Sequence, residues 1–294
     1  RTFKQSFKLS EYMNVKDAKL KDGMLNILSL GAGVQSSTMA LMATEGELTP
    51  MPDCAIFADT GGEPRHVYDF LDYIEKLVPF PVHRVMEGNG LEHDIWKAIE
   101  LGKDEKGRYA SAPFYTESPG GGRGGMLRRQ CTSEYKIKPI QQKVRHLMGL
   151  EKGQRGPKDV AVHMWIGISM DESVRMKPNP SNWVDNIWPL VDKQMYRYDC
   201  LNWMRDHGYE EPSKSACYFC PYHDNSTWQN MLDHDPDSWK KAVEMDNALR
   251  GGLHGTKEKI FIHRSMKPLT ECDFDPDKDQ FDMFDHECEG MCGV

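Results

Sequence analysis

Leu25-Asn26-Ile27-Leu28-Ser29-Leu30-Gly31-Ala32-Gly33-Val34-Gln35-Ser36-Ser37 is the stretch that decides the fold class. A short apolar run that stops on glycine is the pattern of a strand buried on both faces, as in a parallel sheet. Ser36 to Ala43 then has helical character, with Ser36 or Ser37 near the N-cap and Gly46 as the stop. A glycine-rich turn between strand and helix aims backbone N–H groups at an anion, and the helix dipole adds to the attraction. Ser29, Gly31, Gly33, Gln35, Ser36 and Ser37 are therefore candidates for holding a phosphate or sulfate. The turn lacks the Gly-Lys-Ser/Thr of a Walker A loop, and Ser36 stands where a dinucleotide fingerprint needs its third glycine.

The same alternation continues outward. Cys54 to Ala58 and Val82 to Val85 read as strands, while Arg65 to Leu77 and Leu91 to Leu101 carry helical spacing. Strands alternating with amphipathic helices predict βαβ units and a parallel sheet. Lys103 to Met126 breaks the pattern with Ser118-Pro119-Gly120-Gly121-Gly122-Arg123-Gly124-Gly125, which suits a cover over a site or a plain linker. Helix is expected again over Ile137 to Leu150, and a buried strand over Val160 to Ile168. Asp192 to Arg205 and Trp228 to Leu249 read as helices beyond Trp188-Pro189-Leu190. The expected organisation is an extension (1–24), an open, mostly parallel twisted sheet with helices on both faces (25–190), a helical region (191–272) and an acidic, cysteine-containing tail (273–294).

The chain of 294 residues, 39% hydrophobic and 28% charged, can bury a core. No apolar run reaches the roughly 18 residues of a membrane span, and Arg1 to Met24 shows no signal-peptide pattern. A cytoplasmic location without membrane partners is the expectation. The net charge of −8 argues against a protein that coats nucleic acid. Yet Arg123, Arg128, Arg129, Lys136, Lys138, Lys143 and Arg145 crowd one segment, a patch suited to a small polyanion.

Four further motifs carry chemistry. Phe57-Ala58-Asp59-Thr60-Gly61-Gly62-Glu63-Pro64 places an acid and a hydroxyl at a strand's carboxyl end, where open α/β sheets bind ligands, although Asp59 could equally cap the next helix. Arg128-Arg129-Gln130-Cys131-Thr132-Ser133-Glu134-Tyr135-Lys136 gathers cations and a thiol at a helix start. Gly167-Ile168-Ser169-Met170-Asp171-Glu172-Ser173-Val174-Arg175 follows a buried strand, and its arginine suits phosphate or sulfate. Cys217-Tyr218-Phe219-Cys220-Pro221 is a CxxC pair.

The order of these motifs resembles the phosphoadenosine phosphosulfate (PAPS) reductase family, within the PP-loop or adenine nucleotide alpha-hydrolase superfamily. The resemblance covers roughly Leu25 to Cys220 and the C-terminal end. The superfamily's Ser-Gly-Gly-x-Asp-Ser turn is matched by Gly31-Ala32-Gly33-Val34-Gln35-Ser36, with Gln35 in the acidic position, as in PAPS reductases. Asp59-Thr60-Gly61 matches the family's Asp-Thr-Gly. Cys131, Lys136 and Pro139 match its Cys-Cys…Arg-Lys…Pro segment, with Thr132 for the second cysteine and Tyr135 for the arginine. Gly167 to Arg175 resembles its Glu-Ser-x-x-Arg segment. The resemblance implies an adenine-nucleotide site formed by the first turn with Asp59, Thr60, Gly61, Arg128, Arg129, Lys136, Gly167 and Arg175.

It also implies roles for the cysteines. Iron–sulfur members hold a [4Fe–4S] cluster through a Cys-Cys pair and a later CxxC, so Cys131, Cys217 and Cys220 are the expected ligands, with Cys288 or Cys292 as a fourth or one iron left open. Zinc on the same thiolates and unligated buried thiols are the alternatives. The family ends in Glu-Cys-Gly, whose cysteine attacks sulfur. Glu287-Cys288 matches and Glu289 departs, which makes Cys288 or Cys292 the expected nucleophile, or else exposed or ligating tail residues. The implied activity is reduction of PAPS or APS to sulfite with a thioredoxin-like thiol donor. The alternative is ATP-activated sulfur transfer to a nucleic-acid base or backbone, and a nucleotide- or cluster-sensing regulator is a third reading. Homo-oligomer assembly is left open. His163 is expected in the core; His223 has no assigned role, a place beside a cluster being its minor alternative, and Trp183, Trp188, Trp203 and Trp228 are expected to pack.

Overall fold

A computed structural model of the chain describes residues 24–102, 112–118, 123–253, 256 and 258–275. Its centre is a parallel sheet of β1 (Leu25–Ser29), β2 (Cys54–Asp59), β3 (Val82–Met86), β6 (Val162–Trp165) and β7 (Val184–Ile187), in the order β3-β2-β1-β6-β7. The sheet is open, and β1 shows why it needs cover on both sides. Leu28 packs into one apolar cluster with α1 (Val34–Thr44) and α2 (Arg65–Leu77), whereas Leu25 and Ile27 enter another with α4 (Lys138–Leu147). Alternation at period two sends neighbouring side chains to opposite faces, so the continuous apolar run is a double-faced core strand. The expected α/β class, with helices on both faces, is what the chain adopts.

The chain runs β1, β2, β3 in one direction and then returns to add β6 and β7 on the other side of β1. That reversal makes the carboxyl ends of β1 and β6 the switch point, where an open parallel sheet leaves a crevice. The phosphate-type turn follows β1 and Gly167 follows β6.

A third apolar cluster joins α3 (Leu91–Leu101), α7 (Asn225–His234), α8 (Pro236–Leu249) and the CxxC segment. Beside it lies an antiparallel sheet of β4 (Tyr115–Glu117), β5 (Arg123–Met126) and β8 (Ile260–Phe261). β4 and β5 fall inside the stretch expected to be loop. The helix expected over Trp228 to Leu249 is two helices, because Pro236 disfavours helical geometry at Asp235 and opens α8 at its first turn. Likewise the helix expected from Asp192 is α5 (Pro189–Asp192) and α6 (Arg197–Asp206), parted by Gln194 at φ 57°.

Asp224 caps α7, accepting from the Thr227 amide at 2.6 Å and from Ser226 Oγ at 2.8 Å. Burial works against the charged carboxylate, but these bonds and Lys214 outweigh it and hold the pKa down at about 2. A depressed carboxylate stabilises the fold above its unfolded value of 3.8 and loses that contribution as pH falls through 2. Asp224→Ala is therefore expected to lower stability at pH 7 by about 2 kcal/mol, and by progressively less between pH 4 and 2. Urea midpoints of both proteins across that range check it.

Candidate functional site

The turn after β1 is closed by its own polar groups. Gly31 N–H donates to Ser36 Oγ at 3.1 Å, and the Ser37 amide donates to Gly33 O at 3.1 Å. The helix consequently starts at Val34 with Gly33 as its cap, earlier than the serines suggested. Ala32 holds φ at 55°, a left-handed conformation uncommon in a residue with a Cβ, and such strained backbone concentrates at ligand clamps. Ser29 and Ser37 keep buried hydroxyls without a hydrogen-bond partner. Gly167 closes the turn from β6. A Cβ there would lie 3.0 Å from Ser36 N and 3.2 Å from its Cα, so any side chain would have to push the turn back by a few tenths of an ångström.

Gln35 is fully buried and joined to three elements. Its Nε2 donates to Ser169 Oγ at 3.3 Å and to Glu172 Oε2 at 3.2 Å, and its Oε1 accepts from Arg197 Nη1 at 3.0 Å. Glu172 in turn pairs with Arg175, both on the 3₁₀ turn Met170–Arg175. Gln35, Gly167 and Arg175 are thus brought together as the sequence suggested. Arg197 was missed, since it opens α6 far along the chain with no motif around it.

Asp59 and Thr60 leave the neighbouring β2 in different directions. Asp59 Oδ1 accepts from the Gly61 amide at 2.8 Å and from Tyr68 Oη at 2.7 Å, which fixes the turn. Thr60 Oγ1 lies 3.1 Å from Cys217 Sγ. A Cβ on Gly62 would sit 2.4 Å from the Phe219 ring, so this turn and the CxxC segment are packed without slack.

The cysteines share one cavity. Its walls include Cys131, Cys217 and Cys220 together with Arg129, Lys136 and Thr60. Cys131 precedes a π-helix, Thr132–Ile137, rather than an α-helix. At 3.6 residues per turn, residues five apart diverge by about 140°. The i→i+5 repeat of a π-helix turns them to one side, which lets Cys131 and Lys136 line the same space. Arg129 stacks over Tyr222 at 5.2 Å, and Arg128 is exposed on the same segment. Lys136 Nζ is 3.8 Å from Glu63 Oε1, with side chains 8% and 1% exposed. Burial pushes the Glu63 carboxyl up while Lys136 pulls it down. Glu63 was passed over in the sequence as part of a turn.

Burial, then Glu63, raises the Cys217 thiol well above its ordinary range, against the pull of Lys136 and Thr60. A neutral buried thiol is a poor nucleophile and ionises when a metal cation reaches it. Its carbonyl accepts from His223 Nε2 at 3.0 Å, and burial holds that imidazole neutral, at about 3. Thiols are the soft donors of this cavity, and in donor type they fit a thiolate-held centre. Among the described residues no three His, Cys, Asp or Glu side chains stand converged on a metal position. Cys288 and Cys292 lie outside the described residues. No helix among those described is long and apolar enough to cross a membrane.

Fold and site together define an open parallel α/β protein with a glycine-containing turn and two orphan buried hydroxyls at its switch point, and a three-thiol cavity beside it. No family model matches the chain, and no curated protein matches its sequence. Among solved structures it is similar to a phosphoadenylyl-sulfate (PAPS) reductase from Candida auris in a phosphate complex. The TM-score is 0.42 at 12% identity, covering 67% of this chain and 80% of that one.

Proposed function

We propose that this chain binds an adenine nucleotide and performs sulfur chemistry on it, as a thiol-dependent reductase of PAPS or APS. The observation that carries the reading is Thr60, which ends the strand beside the phosphate turn and touches Cys217. One strand end therefore ties the anion crevice to the thiol cavity. The buried orphan hydroxyls of Ser29 and Ser37 support a ligand at the turn, since unmet buried polar groups are costly.

In this reading the turn's amides hold one anionic group, and Arg128, Arg129, Lys136 and Arg175 face the phosphosulfate. The thiolate of Cys288 or Cys292 attacks sulfur, forming an S–S bond as the S–O bond breaks, and the electron pair leaves on the nucleotide phosphate. The cations offset that developing charge. A second thiol, from a thioredoxin-like donor, then attacks the cysteine sulfur, releasing sulfite and leaving a disulfide. Cys131, Cys217 and Cys220 would hold a [4Fe–4S] cluster or zinc, with whichever of Cys288 and Cys292 is not the nucleophile as fourth ligand, or with one position open. Such a centre would hold the cavity's thiols as thiolates and fix their positions beside the reacting group.

Sulfite release from PAPS or APS with thioredoxin tests the reaction, and the expected result is turnover that Cys288→Ser and Cys292→Ser together abolish. No sulfite from either nucleotide sinks it. A second reading, ATP-dependent sulfur transfer to tRNA or DNA, is favoured by the three-thiol cavity. It predicts AMP and pyrophosphate from ATP in the presence of the nucleic acid. Anaerobic purification is expected to give a brown protein with about four iron atoms per chain. Cys217→Ser should lose that colour, and a colourless protein containing zinc would replace the cluster with zinc.

A further inference from the structure

We propose that Lys143 is a covalent modification site of this chain, the lysine that takes an acyl group from an acyl phosphate. It stands near the amino end of β2, whereas the crevice lies at the strands' carboxyl ends. Ile140, Val144 and Leu147 bury α4 against the face of β2 that carries Cys54 and Ile56. Lys143 falls three residues after Ile140 and four before Leu147, so it borders that buried stripe. Cys54 opens β2, and His83 of β3 sits beside Ile56 in register, which puts Cys54, Ile56 and His83 on one face. His146, one turn beyond Lys143 on α4, completes the surroundings.

Four lysines are buried or half-buried among the described residues, and Lys143 differs from the others in its neighbours. Lys136 faces Glu63 at 3.8 Å, Lys138 faces Glu87 at 2.6 Å and Lys214 faces Asp224 at 3.7 Å. Lys143 has no carboxylate within ion-pair distance among the described residues; a thiol and two imidazoles stand near it instead. Asp53, next to that thiol, is engaged with the Asn26 amide, from which it accepts at 2.7 Å. Burial, then Asp53, pushes the Cys54 thiol up to about 12, and burial, then Lys143 and His146, holds His83 down at about 4. Both are neutral at pH 7, so neither offsets an ammonium. Burial then favours the uncharged amine of Lys143, which is its nucleophilic form. Half-exposure leaves that amine open to a small acyl donor. Its nitrogen attacks the carbonyl carbon and a C–N bond forms. The C–O bond to phosphate breaks, its electron pair leaves on phosphate, and the nitrogen's proton goes to solvent.

The test incubates the full chain with acetyl phosphate at pH 7 and pH 10 and follows each lysine by peptide mass spectrometry. At pH 7 Lys143 is expected to acetylate about threefold or more faster than the exposed Lys152 and Lys158. At pH 10 the lead should shrink, because exposed amines lose their protons there too. His83→Glu supplies a carboxylate partner and should bring Lys143 down to the exposed rate, with Lys152 and Lys158 unchanged and a thermal melt as folding control. Equal rates for Lys143 and the exposed lysines in wild type at pH 7 overturn the assignment, whether or not that variant folds. So does a lead that persists in folded His83→Glu, which would give the reactivity another origin.

Discussion

Lys136→Met is expected to lower the stability of the fold by about 3–5 kcal/mol at neutral pH. The side chain is 8% exposed and faces a carboxylate that is 1% exposed, so its removal strands the Glu63 charge where water cannot solvate it. Ser215 Oγ, 3.5 Å from Glu63 Oε2, is too weak a donor to replace an ammonium. Glu63 would respond by holding a proton, because burial already raises its pKa and the opposing pull of Lys136 would be gone. A carboxyl raised in the folded state favours folding at low pH and loses that contribution as pH rises through its folded value. The deficit of Lys136→Met should therefore shrink as pH falls from 7 toward 5. Urea midpoints of the single variant and of Lys136→Met/Glu63→Gln give the check. The double variant should recover most of the loss, since removing both charges leaves no stranded ion. A single-variant deficit below about 1 kcal/mol would mean that water reaches Glu63 and that the pair is not a buried one.

The sheet was legible because its evidence is local. Leu25 to Leu30 needs only its own apolar run to be read as a double-faced strand, and the glycines that follow announce the turn. The order β3-β2-β1-β6-β7 was not legible, and β7 (Val184–Ile187) was not read as a strand, because its short, half-exposed sequence carries no buried apolar run. The residues that were missed are those whose meaning is set by distant partners. Arg197 acquires its partner in Gln35, 162 positions earlier, and nothing around it in sequence marks that contact. The π-helix left no trace either, because a shift from i→i+4 to i→i+5 bonding needs no special residue. That shift is what puts Cys131 and Lys136 into one cavity. β4 and β5 were hidden for a related reason. β4 is only three residues long and β5 is half glycine, and the pairing of β4 with both β5 and β8 supplies what length and propensity do not.

Gly167→Val should all but remove nucleotide binding, with affinity for ATP or APS falling by about 100-fold. The expected loss follows from what the missing side chain allows. A Cβ at this position would meet Ser36 N at 3.0 Å, Ser36 Cα at 3.2 Å and Ser36 Cβ at 3.3 Å. Two of those atoms are backbone, at the point where the turn after β1 enters α1, so neither can swing aside as a side-chain tip would. Ser36 also holds the turn by accepting from the Gly31 amide. Displacing it breaks that bond and redirects the amides that a ligand oxygen would need, and binding groups tolerate little displacement. Valine adds two methyl groups and forces the turn away from β6. Alanine adds only the Cβ, so Gly167→Ala should lose about tenfold. Gly167 follows β6 rather than lying within it, so the variants should keep a cooperative melt with a stability cost of about 1–3 kcal/mol. Calorimetric titration beside a thermal melt separates the two effects. If Gly167→Val binds nucleotide as the wild type does, the ligand does not sit on the turn at the switch point.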